Sequence, residues 1–264
     1  MTFGISDMFT EILRYCWRER RAMVKFGAIP YIVVAATTLL APQLTKESPA
    51  ADWAFMVLLI VLQTVAYLPM AVAWYRMVVL GRDEVSHRPV FTLGRREGRF
   101  LFWQLAVVVV GLLIGAAGVG VIALVYIALI NLSQLIAVIV CIVLSIAGLV
   151  GWLAMFNRLG LVMVMAATDQ PASFGAAWTL TRGMTGALLG TLGLIVLAGL
   201  VAGFASQLVA FVFPVPMDTV LKALLGSGVS LAMFLATPTL FGMAYVRIMK
   251  AQAAAELNAA ETPA

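Results

Sequence analysis

Charge is scarce in this chain, histidine nearly absent and cysteine rare. Asp, Glu, Lys and Arg make up 11% of 264 residues, against about 25% in soluble globular domains. With 63% of residues apolar, a water-soluble fold of this size has too little polar surface to cover its core. Disordered and fibrous chains are excluded by the same composition. His87 is the one histidine, so neither a histidine metal pair nor a Ser-His-Asp triad is available, and a solvated loop side chain is expected. Cys16 and Cys141 are too few and too far apart to suggest a disulfide framework or a metal site. His-Glu-x-x-His, Gly-x-Ser-x-Gly and the Walker A lysine loop are all missing. Neither enzymatic activity nor a cofactor is expected.

Acids are as thinly spread. All twelve lie outside the long apolar runs, where an intramembrane carboxylate would mark a proton relay or ion path. That pattern argues against a proton- or sodium-coupled transporter. Asp83 and Glu84 are adjacent, but one acidic pair beside a span is a solvated surface before it is a cation site.

What the chain has in abundance is long apolar sequence. Six uncharged runs, at 26–44, 53–75, 102–130, 135–156, 184–213 and 224–246, are each about the length of a membrane-crossing helix or longer. The expected fold is all-α: a polytopic membrane bundle of six transmembrane helices, forming one membrane domain over 1–264. Spans three and four are parted only by Asn131-Leu-Ser-Gln134, read as a tight turn. The first run starts only after Lys25, too late for a signal peptide, so it reads as an uncleaved span.

The basic residues orient these spans. Arg14, Arg18, Arg20, Arg21 and Lys25 precede the first; Arg76, Arg82, Arg88, Arg95, Arg96 and Arg99 follow the second. Arg158 and Arg182 follow the fourth, and Arg247 and Lys250 the sixth, whereas the other side holds Lys46 and Lys222 alone. The positive-inside rule then places both termini in the cytoplasm, in an inner (plasma) membrane. A net charge of +5 distributed this way suits anionic lipid headgroups on the cytoplasmic side, not nucleic acid. Trp17, Trp74, Trp103, Trp152 and Trp178 fall near the basic ends of spans and Trp53 near the opposite end, as an interfacial belt would.

Spacing suggests an internal repeat of about 82 residues. Phe9, Phe91 and Phe174 keep it, as do the pairs Arg76 and Arg158, Pro89 and Pro171, and Arg99 and Arg182. The units read as 1–82, 83–165 and 166–250, with a polar tail at 251–264. Each comprises a short interfacial segment, a helical hairpin and a terminal arginine: Arg76, Arg158 or Arg247. Phe9, Ile12, Leu13 and Cys16 are expected on one face of an interfacial amphipathic helix, and Phe174, Ala177, Trp178 and Thr181 on another, capped by Ser173. The copy at 91–100 carries two glycines that weaken a helix.

Gly111-x-x-x-Gly115, Gly186-x-x-x-Gly190 and Gly199-x-x-x-Gly203 would let helices approach closely, within the bundle or in a homo-oligomer. Pro30, Pro69 and Pro238 would kink their spans. Gln63, Ser206 and Gln207 are the polar intramembrane residues in need of partners.

The stretch Arg158-Leu-Gly-Leu, Ala167-Thr-Asp-Gln-Pro-Ala-Ser-Phe174 and Ala177-Trp-Thr-Leu-Thr-Arg-Gly183 resembles the membrane domain of the glycerophosphoryl diester phosphodiesterase membrane-domain family. The likeness covers about 158–203. It implies a stand-alone membrane domain: the soluble barrel of some relatives is missing, and no catalytic residue carries over. The expected function is a non-catalytic module that interacts with lipid or organises another membrane protein; the alternative is a channel or transporter for an uncharged or lipid-like substrate. Arg76, Arg158, Arg247, Trp178 and Arg182 are the candidate lipid-facing or structural residues.

The charge asymmetry makes a direct prediction. In a background without Cys16 and Cys141, single cysteines beside Lys46 and Lys222 should react with an impermeant thiol reagent in intact cells. One beside Arg88 should not, and labelling there would invert the topology.

Overall fold

The computed structural model describes residues 4–44, 49–86, 89, 91–131, 133–214 and 217–261; Lys46, His87 and Arg88 lie outside them. Among the described residues every regular element is helical: α1 (Ile5–Arg18), α2 (Arg20–Leu44), α3 (Pro49–Leu80), α4 (Asp83–Ser86), α5 (Arg95–Ile130), α6 (Gln134–Ala167), α7 (Phe174–Leu180), α8 (Thr185–Phe211) and α9 (Met217–Glu261). Six of these, α2, α3, α5, α6, α8 and α9, are long and apolar enough to cross a membrane. Sequences this apolar become helices because a bilayer offers the backbone no water, and a helix satisfies its own N–H and C=O groups. The three shorter helices α1, α4 and α7 lie on the segments that lead into or out of the long ones.

Consecutive long helices pack against each other, α2 on α3, α5 on α6 and α8 on α9. The break between α5 and α6 falls at 131–133, so two spans stand where one overlong helix was conceivable. α9 is central, touching α1, α2, α3, α6 and α8. The largest buried cluster runs from Met8 and Ile12 of α1, through Leu159–Ala167 of α6, to Leu240, Ala244 and Ile248 of α9.

The structure corrects the sequence reading in three places and also buries one acid. On α1 the buried face is Met8 and Ile12, with Phe9 and Cys16 flanking it, while Leu13 is 52% exposed. Trp74 is not in an interfacial belt; it is fully buried, because Thr239 offers its indole N–H an acceptor inside the bundle. Glu97 is buried although it is an acid, its Oε2 accepting from the Gly94 N–H at 3.0 Å in the first turn of α5. The arginines Arg76, Arg158 and Arg247 do not end their helices. α3 runs on to Leu80, α6 to Ala167 and α9 to Glu261, so none of them stands at the C-terminus of its own helix. The apolar run after Arg158 stays helical to Ala167, while the guanidinium is held by a hydroxyl and an aromatic ring.

Close helix approach uses half of the glycines the sequence offered. A Cβ at Gly111 would meet the Phe156 ring, at Gly190 the Ile5 side chain and at Gly199 Met233, whereas Gly186 and Gly203 face open space. All three contacts are made within one chain. The tightest aromatic contact lies elsewhere, at Gly160, where a Cβ would stand 2.5 to 2.8 Å from three atoms of the Phe241 ring.

Gly160→Ala should therefore lower stability by about 1–3 kcal/mol through overpacking. Gly118→Ala, with nothing within 4 Å of the new Cβ, should raise it by up to about 1 kcal/mol through helix propensity. Thermal melts of the purified variants in detergent test the opposite signs.

Candidate functional site

The three terminal arginines converge on one end of the bundle, each on a different short segment. Arg76 is 4% exposed. Its Nη1 donates to Asp169 Oδ2 at 2.8 Å and to the Ala167 carbonyl at 3.3 Å, and its Nη2 pairs with Glu84. Asp169 follows the end of α6 with φ +63°, a left-handed conformation that Asp tolerates better than most residues. This turn also receives Arg96, whose Nε lies 2.9 Å from Asp169 Oδ2, and Arg99, which donates to the Gln170 carbonyl. A buried guanidinium is tolerable here because two carboxylates and a carbonyl replace its water.

Arg158 donates from Nε to Thr185 Oγ1 at 2.9 Å and sits 4.3 Å from the centre of the Trp178 ring. Thr185 opens α8 and Trp178 belongs to α7, whose N-terminus is capped by Ser173 Oγ accepting from the Ala176 N–H at 3.1 Å. Trp178 is still half exposed, and Arg182 is exposed beside it. Arg247 of α9 pairs with Glu11 of α1, a contact between the two ends of the chain. Each terminal arginine thus reaches a short segment outside its own hairpin.

A second polar node lies deeper. Trp74 Nε1 donates to Thr239 Oγ1 at 2.8 Å, and that hydroxyl donates to the Leu235 carbonyl at 2.7 Å. Cys16 Sγ is 3.7 Å from the same hydroxyl, and Tyr15 meets Trp74 edge-on with ring centres 6.2 Å apart. The node ties α1, α3 and α9 together. Burial pushes the Cys16 thiol up from its ordinary pKa, with the Thr239 hydrogen bond only partly offsetting it. It is held protonated at neutral pH, unsuited to attack as a thiolate.

Between α3, α5, α6, α8 and α9 lies a cavity of about 520 Å³, within the range of small-molecule sites. On α3 its wall runs from Ile60 to Tyr75, about four turns or ~22 Å. Aromatic and aliphatic side chains dominate, among them Tyr67, Phe100, Trp152, Phe156 and Phe241. Gln63, Thr64, Gln104, Asn157 and Thr237 contribute polarity but no charge. Asn157 is 1% exposed; its Nδ2 donates to the Leu153 carbonyl at 2.9 Å while its Oδ1 has no partner. Pro238, also on the wall, cannot donate to the Phe234 carbonyl one turn back, so α9 is irregular where it borders the cavity. Two wall residues, Ile60 and Val108, are 59% and 42% exposed. The cavity therefore opens sideways, between α3 and α5, onto the apolar flank of the bundle.

The three expected intramembrane polar residues are not brought together. Gln63 is on the cavity wall and donates to Thr37 Oγ1 at 2.9 Å. Ser206 is buried and donates to the Gly203 carbonyl at 2.7 Å, and Gln207 is exposed on α8; neither lines the cavity. The sequence reading missed Asn157 and Gln104. Asn157 sits next to Arg158, and a span ended at that arginine leaves it in the headgroup zone. Among the described residues no group of His, Cys, Asp and Glu is arranged to hold a metal ion. Comparison with protein-family profiles, curated proteins and solved structures gives no match for this chain.

Removal of Arg76 strands partners in a partly dry site, so Arg76→Ala should cost about 3 kcal/mol. Arg158→Ala loses one hydrogen bond and one cation–π contact and should cost about 1–2 kcal/mol. The exposed Arg14, changed to alanine, should shift detergent melting by less than about 0.5 kcal/mol. An equal effect at all three positions would reduce the arginines to markers of orientation.

Proposed function

We propose that this chain is a non-catalytic membrane module that draws the apolar part of a lipid into the cavity between α3, α5 and α6. The observation that carries this reading is the lateral mouth at Ile60 and Val108. A water-soluble ligand would need a route through one end of the bundle, whereas an acyl chain in the surrounding bilayer would border this opening directly. The wall supports it: aromatic and aliphatic over four turns, with amides and hydroxyls but no acid, base or nucleophile converging on one point. The basic end of the bundle faces the cytoplasm of an inner membrane, both termini with it, and meets anionic headgroups.

The chain is organised as three hairpin repeats in a closed ring. Arg76 contacts Glu84, which opens the second unit; Arg158 contacts Trp178 and Thr185 of the third; Arg247 contacts Glu11 of the first. One kind of residue at the end of each unit thus reaches the start of the next, and the third contact, across 236 positions, closes the cycle. Kinship with the glycerophosphoryl diester phosphodiesterase membrane-domain family belongs to the same proposal and rests on the 158–203 stretch.

A second reading, passage of an uncharged or lipid-like substrate, is favoured by Gln63, Gln104 and Asn157 on the wall. It is weakened by the separation of Ser206 and Gln207 from that wall.

Native mass spectrometry of the purified chain should find phospholipid retained through delipidating detergent. Val108→Trp, which fills the mouth from its rim, should cut retention by half or more without lowering the melting temperature. Full retention in that variant would sink the cavity reading, and substrate flux through reconstituted vesicles would favour passage instead.

A further inference from the structure

A second, smaller cavity of about 180 Å³ lies away from the first, between the start of α2 and the turn that leaves α3. Arg21, Lys25 and Arg82 line it together with Phe26, Met77 and Val85. Arg21 and Lys25 are four residues apart on α2 and so share a face. Arg82 arrives by another route. Gly81 takes φ +100°, a left-handed conformation open to glycine, and donates to the Met77 carbonyl at 3.2 Å, which ends α3 and turns the chain back. Val85, one turn on in α4, is then pressed inward against the floor.

The site is amphipathic by construction. The three cations are exposed at its mouth, while Phe26, Met77 and Val85 are each at most 4% exposed. No carboxylate belongs to the wall. Asp83 follows Arg82 in sequence, and Glu84 is engaged by Arg76 on the neighbouring side. The Lys25 ammonium lies 5.1 Å from the centre of the Phe26 ring, so charge and apolar floor adjoin directly.

We propose that this pocket binds the phosphate of an anionic phospholipid. Arg21, Lys25 and Arg82 hold the phosphate oxygens, and the apolar floor receives the start of the glycerol ester. A free phosphate ion would satisfy the cations but has no use for the floor, and that distinguishes the two sources. The inference rests on the lipid-binding reading above but uses a different pocket, so the two can fail separately.

The test uses the full-length chain in detergent, titrated with phosphatidylglycerol or phosphatidylcholine and read by native mass spectrometry. Phosphatidylglycerol should bind more tightly. A surface cation contributes about fivefold to such binding, so Arg21→Gln with Arg82→Gln should weaken phosphatidylglycerol by about 25-fold and phosphatidylcholine, whose choline offsets its phosphate, by much less. Arg21→Lys with Arg82→Lys should keep most of the affinity, and Arg14→Gln should change it less than about twofold. Wild-type affinity in the double glutamine variant, or an equal loss in Arg14→Gln, would overturn the site. Displacement of phosphatidylglycerol by inorganic phosphate at equal affinity would overturn its assignment to lipid. Val108→Trp should leave the phosphatidylglycerol preference intact, which separates a failure here from a failure of the larger cavity.

Discussion

The buried guanidinium of Arg76 fixes the basic end of this bundle. It joins the end of α3, the end of α6 and the acid of α4 at one point. Helices in a bilayer gain nothing from hiding apolar surface from lipid, so contacts of this kind decide their register. Asp169 can serve both Arg76 and Arg96 because its left-handed backbone turns the chain sharply after α6. Two of the long helices that border the larger cavity, α3 and α6, are thereby pinned to each other near their basic ends.

The Thr239 node performs the corresponding task for α1. A hydroxyl in mid-helix commonly bonds back to its own backbone, and Thr239 does so. It also accepts from Trp74 and approaches Cys16, so one side chain binds three helices. With the Arg247–Glu11 pair at its exposed side, α1 is held from both faces and becomes part of the bundle instead of floating on the membrane.

The helical class and the six long apolar helices were legible in the sequence, since uncharged runs of that length have few other solutions in a bilayer. The cap at Ser173 was legible too, because N-capping is local chemistry. What stayed hidden was set by partners distant in the chain. Trp74 reads as an interfacial tryptophan until Thr239, on another helix, supplies its acceptor. Arg158 reads as the end of a span until Trp178 and Thr185 supply it with partners and α6 continues into the core. Asn157 was lost by the same misplaced boundary. The larger cavity could not be read at all, because side chains from five helices far apart in the chain form its wall, and no local pattern encodes that meeting.

The α5–α6 pair has a consequence for the membrane itself. These helices contain 36 and 34 residues, roughly 50 Å of helix each, and they are the least buried of the six long ones. A hydrocarbon layer is about 30 Å thick. The pair must lean steeply, stand proud of the bilayer or thicken it locally, each at a modest cost per ångström. α9 is longer still at 45 residues, but more of it is buried within the bundle. The flank formed by α5 and α6 therefore presents a taller apolar wall than a hydrocarbon layer covers, with little of it turned inward against the bundle.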